Sequence, residues 1–151
     1  MEQSCLMNYT STDIGFAARV TDKTQFMQDI RRHGLPIYGK KFNGVNRYDL
    51  TGFAMAMVVG ELREYGLSLA CCGRLMARID LDHLSDMIDR LEIGEINELI
   101  VLVPQQNDLD HEFPTAVSSW NEVIHYAQEE SINFIPCTVG ELLKAKMKGE
   151  W

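Results

Sequence analysis

The sequence predicts an α+β fold built from two unlike parts, and three observations carry this. Residues 12–79 place apolar side chains at helical spacing, interrupted once by a polar, glycine-punctuated hairpin. Residues 98–104 (Glu-Leu-Ile-Val-Leu-Val-Pro) are an apolar run of strand length. A second short run, 132–137, follows a helix-spaced stretch at 114–130. Three segments result: 11–80, a connecting or dimerising helix at 81–94, and a small α/β part at 95–151.

Residues 1–10 are polar and unpatterned and read as a frayed tail. Residues 12–20 form a short helix whose apolar positions include Ile14, Phe16, Ala17 and Val20, capped by Ser11 or Thr12. Thr21 or Asp22 caps a second helix, 23–33, with Phe26, Met27 and Ile30 on its buried face. Gly34 suits the left-handed position after a helix, and Pro36 prevents its resumption. His33, at the end of that helix, reads as a C-terminal cap.

A hairpin follows, with strands 38–42 and 45–48. Asn43-Gly44 is its turn, because a primed turn needs positive φ at its central residues. Asp49 caps a third helix with Leu50, Phe53, Met57 and Leu62 at helical spacing, which Gly66 ends. A fourth helix covers 69–79. Residues 81–91 carry Leu81, Leu84, Ile88 and Leu91, a narrow stripe that serves either as a dimer seam or as packing within the same chain.

In the last third, 98–104 and 132–137 read as strands and 105–112 as a polar loop. Residues 114–130 read as a helix with Val117, Trp120, Ile124 and Ala127 on one face. Strand–helix–strand predicts a right-handed βαβ unit with parallel strands. Thr138-Val139-Gly140-Glu141 has the spacing of a capping box for a last helix at 141–148. Two parallel strands make a poor sheet alone, so pairing with a second copy is expected to complete it.

Composition bounds the function. The chain has 151 residues, 46% hydrophobic and 24% charged, ordinary for a globular protein. No apolar run approaches the ~18–20 residues of a membrane helix. Residues 1–9 lack the basic-then-apolar pattern of a secretory signal, so a soluble cytoplasmic protein is expected. Cys5, Cys71, Cys72 and Cys137 have no metal-knuckle or redox spacing and read as free thiols. The vicinal pair Cys71-Cys72 follows Leu67 and Leu69 and reads as small core residues; soft-metal or oxidant sensing is the alternative. His83, His111 and His125 lack the spacing of a metal site. No nucleophile–base pairing, phosphate loop or metal cluster points to an enzyme, and no cofactor is expected. The carboxylates of 80–98 read as a solvated helix face.

Net charge is −8, unevenly placed. Residues 1–80 hold ten Lys/Arg against eight Asp/Glu; residues 81–151 hold four against fourteen. Between positions 19 and 47 there are seven basic residues and two acidic ones. A basic face on an acidic body points to DNA as partner, with the acidic half turned away from the duplex. The acidic C-terminal half is also a surface for a protein partner.

Helix, helix, basic hairpin, helix is the order of a winged helix-turn-helix, which lays its second helix in the major groove. On that reading Lys23, Thr24, Gln25 and Gln28 reach base edges, since glutamine can contact adenine bidentately. Arg31 and Arg32 reach phosphates, and Arg19 meets the backbone beside the first helix. The wing residues Lys40, Lys41, Asn43, Arg47 and Tyr48 flank the duplex.

The order, Gly34-Leu35 after the second helix, the Asn43-Gly44 wing followed by Arg47-Tyr48, and residues 62–68 before the fourth helix together resemble the DNA-binding half of the MerR family of transcription regulators. The resemblance covers about the first 80 residues. It implies a homodimeric regulator on an inverted repeat, contacting DNA through second helix and wing. Where that family has an arginine followed by two aromatics, this chain has Gln28-Asp29-Ile30. The Gly34-Leu35-Pro36 step is also similar to winged units of excisionases and phage small terminase subunits, which bind and bend DNA. The readings are thus a sequence-specific transcription regulator on the nucleoid, an architectural DNA-binding protein, or a protein-interaction adaptor using the winged fold.

Overall fold

A computed structural model describes residues 7–105, 114–129 and 133–149. Among them are seven α-helices and two three-stranded antiparallel sheets, so the chain is a mixed α+β protein. It divides into two compact units, Met1–Ala77 and Arg78–Trp151.

The first unit opens with a strand where a frayed tail was expected. Strand β1 (Tyr9–Thr10) pairs with β3 (Val45–Tyr48), Tyr9 opposite Tyr48 and Thr10 opposite Arg47. Tyr9 is buried, its ring centroid 5.7 Å from that of Phe53. The physical reason is non-local: β1 satisfies one side of β3 and buries an aromatic ring against the core.

Helix α1 (Ser11–Ala17) starts one residue before the expected position. Thr10 is its cap: the Asp13 N–H donates to Thr10 Oγ1 at 3.2 Å, and the Thr10 N–H donates to Asp13 Oδ2 at 2.9 Å. It stops early because Arg19 adopts a left-handed φ of 60°. Helix α2 (Lys23–His33) follows its expected bounds, with Asp22 accepting from the Gln25 N–H at 3.0 Å. Strands β2 (Lys40–Phe42) and β3 form the hairpin, turning at Asn43 (φ 52°) and Gly44 (φ 79°).

Helix α3 (Leu50–Glu64) is buried all round from Leu50 to Gly60 rather than amphipathic, the pattern of a central core helix. Asp49 caps it, accepting from the Gly52 N–H at 2.8 Å. Helix α4 (Leu69–Met76) is capped by Ser68 and packs on α2. A Cβ at Gly73 would overlap the His33 carbonyl, so glycine is what lets the end of α2 lie against α4.

In the second unit, helix α5 (Leu81–Glu92) buries Leu84, Met87, Ile88 and Leu91. The stripe packs within its own chain, against β5 (Ala116–Val117) and α7 (Gly140–Met147), the second of the two expected placements. The helix thus belongs to the second unit rather than forming a separate connector.

Strand β4 (Ile100–Pro104) is wholly buried and lies between β5 and β6 (Phe134–Thr138). Both pairings are antiparallel, which overturns the parallel βαβ unit. The stretch 114–130 is not one helix. Ala116 and Val117 pair with β4. Ser118 and Ser119 then start helix α6 (Trp120–Ile124), Ser119 accepting from the Glu122 N–H at 3.3 Å and Glu122 accepting from the Ser118 N–H at 3.0 Å. The helical spacing of Val117 with Trp120 hid two serines that are caps, not helix interior. A π-helical turn, His125–Glu129, follows. A third strand from the same chain removes the argument that a second copy must complete the sheet. The expected box at Thr138 and Glu141 does not form: Thr138 ends β6 opposite Ile100, and α7 has no side-chain cap. Lys144 Nζ in α7 instead donates to the Asn97 carbonyl at 3.0 Å. Of the expected loop 105–112, all but Gln105 lies outside the described residues, as do Glu130 and Ile132.

Candidate nucleic-acid interface

Helix α2 and the β2–β3 hairpin flank a groove of about 470 Å³. Buried Ile30, Leu35, Ile37 and Tyr48 line it on the apolar side, and exposed Arg31 and Lys41 bring charge to it from the helix and from the hairpin. Asn46, opposite Lys41 in the ladder, adds an amide.

Strand alternation divides the hairpin's side chains. Lys41, Asn46 and Tyr48 share the face turned to the groove. Lys40, Phe42, Val45 and Arg47 share the other, with Lys40 opposite Arg47 and Phe42 opposite Val45. The two cations of the Lys40–Arg47 pair sit side by side, a local excess of positive charge suited to an anion. Asn43 is exposed at the turn, and its positive φ accounts for the residue type.

On α2, Lys23, Thr24, Gln25, Gln28, Arg31 and Arg32 are all exposed. Helical spacing puts Thr24, Gln28 and Arg31 on one stripe, beside the groove, and Gln25, Asp29 and Arg32 on the next. Two side chains have internal partners: Gln25 Nε2 donates to Asp29 Oδ1 at 3.0 Å, and Lys23 Nζ donates to Thr12 Oγ1 at 2.7 Å. Of the expected base readers, Thr24 and Gln28 therefore adjoin Arg31, while Gln25 is turned to its own helix.

Two of the expected contact residues have partners within the chain. Arg19 is held between carboxylates of α3, 2.7 Å from Glu61 Oε1 and 2.5 Å from Glu64 Oε1. Its hydrogen bonds to Glu61 and Glu64 raise its pKa above the ordinary arginine value. One guanidinium beside two carboxylates is a net negative cluster, which repels phosphate. Tyr48 is buried rather than exposed, and its hydroxyl donates to Met27 Sδ at 3.2 Å. It positions the hairpin against α2.

Sequence reasoning passed over Tyr38, 67% exposed at the groove, and Asn46. The signal for Asn46 was present: it lies two residues before Tyr48 and so shares its face.

Asp49, at the foot of β3, is half-buried; desolvation raises its carboxyl pKa, against the opposing pull of the Gly52 N–H and the Lys40 charge. Cys72 is buried, which pushes its thiol up to about 11, so it is not poised as a thiolate. Among the described residues no group of three or more His, Cys, Asp or Glu is placed to hold a metal, and no helix is long and apolar enough to cross a membrane.

No protein-family model matches the chain, and no curated protein matches it.

Proposed function

We propose that the first unit is a winged helix-turn-helix that binds double-stranded DNA, and that the chain is a homodimeric, sequence-specific transcription regulator. The observation that carries the reading is the groove between α2 and the hairpin, where Arg31 and Lys41 present cations from two different elements. A DNA backbone lying there meets both charges, with α2 on one side offering Thr24 and Gln28 to base edges, while Lys40 and Arg47, on the hairpin's other face, reach phosphates outside the groove. The MerR-like resemblance of the sequence belongs to this proposal, as does a place on the nucleoid in the cytoplasm. Dimerisation is assigned to the second unit, whose α6 exposes Trp120 and Ile124 one helical turn apart.

The test is genome-wide binding of the tagged chain in its own host, beside a Lys40→Ala/Lys41→Ala/Arg47→Ala variant. Sharp peaks sharing a short inverted repeat, lost in the variant, are the expected result. No enrichment with either chain overturns the reading in favour of a protein-interaction adaptor.

A further inference from the structure

The tip of the β2–β3 hairpin pairs two apolar side chains in solvent. Phe42 and Val45 face each other across the strands on either side of Asn43-Gly44, 50% and 51% exposed. Two residues back along each strand, on the same face, stand Lys40 and Arg47, also a cross-strand pair. Lys41 adds a third cation from the opposite face. The hairpin is thus an apolar point with a basic collar.

That order fits one occupant best. A two-stranded ribbon entering the minor groove places its collar between two phosphate backbones and its point against the bases, where water is displaced. The groove is about 6 Å wide and must open to admit the ribbon. An aromatic ring at an opened step can slide between base pairs, because every base offers a π-face for stacking. Two apolar side chains flanking a polar Asn43 give little area for insertion into a membrane, which a basic collar alone would also attract.

We propose that Phe42, backed by Val45, is a wedge that unstacks a base step in the minor groove beside the α2 site and bends the DNA. The inference rests on the reading of the first unit as a DNA-binding unit. Such wedges kink a duplex by about 20–90°. On this account binding is sensitive to how easily the flanking step deforms, with pyrimidine–purine steps favoured.

The experiment uses the full chain and duplexes selected by it from a random pool. These carry dyes at both ends and 2-aminopurine at successive flanking steps. The wild-type chain is expected to shorten the end-to-end distance and to brighten 2-aminopurine at one step. Phe42→Ala, at an exposed position, is expected to keep the thermal melt, abolish both signals and lose about tenfold in affinity, the scale of one stacking contact. Phe42→Trp is expected to retain both signals. A wild-type chain that binds its duplex without bending or brightening, or a Phe42→Ala variant that bends it fully, overturns the wedge while leaving DNA binding intact. Selection of no duplex by the wild-type chain overturns the underlying reading and the wedge together. Binding to phosphatidylglycerol vesicles that Phe42→Ala abolishes, with no DNA response, overturns it in favour of a membrane-directed tip.

Discussion

The Tyr48 hydroxyl donates a 3.2 Å hydrogen bond to the Met27 sulfur, and this contact ties the hairpin to helix α2. Both residues line the groove between those elements, so the spacing of the two candidate DNA-contacting surfaces depends on it. Sulfur is a weak acceptor, and the tyrosine ring, buried at the groove, carries more of the attachment than its hydroxyl.

Two substitutions at Tyr48 are therefore expected to separate. Tyr48→Phe removes the hydrogen bond and keeps the ring, for a loss of about 0.5–1 kcal/mol in urea unfolding. Tyr48→Ala empties the ring's site and costs roughly 3–5 kcal/mol. DNA affinity under conditions where both remain folded should fall in the same order. Equal affinity for all three chains would mean that the hairpin does not need its fixed spacing from α2.

Gln25 and Gln28 are alike in sequence but not in place. Gln25 is bonded to Asp29, while Gln28 shares the Arg31 stripe beside the groove. Gln28→Ala is expected to relax base preference at one position by about 1–3 kcal/mol, read from binding-site selection. Gln25→Ala should leave the selected sequence unchanged. Lys41→Ala should instead weaken binding to all sequences alike and flatten the salt dependence by about one unit, the mark of a single phosphate contact. A reversal of the two glutamine phenotypes would place the reading stripe on the other side of α2.

Local chemistry is what the sequence disclosed best. Asp22 and Gly34 bracket α2, Asn43-Gly44 marks the hairpin, and Asp49 caps α3, each through a residue acting on its immediate neighbours. The larger misreadings are non-local. Tyr9 becomes a strand residue only because β3 lies beside it. Val117 leaves the helical pattern because β4 offers it a ladder. The candidate site shows the same division: its exposed cations were legible, whereas the partners that occupy Arg19 lie 42 and more residues further on in α3.

Arg19 sits in the left-handed region at φ 60° while pairing with Glu61 and Glu64. Its side chain is 41% exposed, so the ion pairs contribute little beyond the usual fraction of a kcal/mol of surface pairs. Arg19→Ala loses them and keeps the strained backbone; Arg19→Gly loses them and relieves it. The glycine variant is expected to be more stable than the alanine variant by about 1 kcal/mol in thermal or urea unfolding. Neither should weaken DNA binding, because the guanidinium is already neutralised by two carboxylates. A selective loss of DNA affinity in both would return Arg19 to the interface.

Asp49 gives the pH prediction. Burial raises its folded-state pKa, so the folded chain binds this proton more tightly than the unfolded chain does. The stability linked to that proton is therefore fully present below the ordinary carboxylate range near 4, and is lost as pH rises through the raised folded value. Asp49→Asn keeps an N-cap acceptor for the Gly52 N–H and removes the buried charge. Relative to wild type, Asp49→Asn is expected to gain stability as pH rises through that window and to hold a constant advantage up to neutral pH. Asp49→Ala, which removes the cap as well, should lie about 1 kcal/mol below Asp49→Asn at every pH. Urea unfolding of the three chains between acid and neutral pH checks this. A wild-type chain that instead becomes more stable than Asp49→Asn as pH rises would show that the Gly52 N–H and the Lys40 charge outweigh desolvation at this carboxylate.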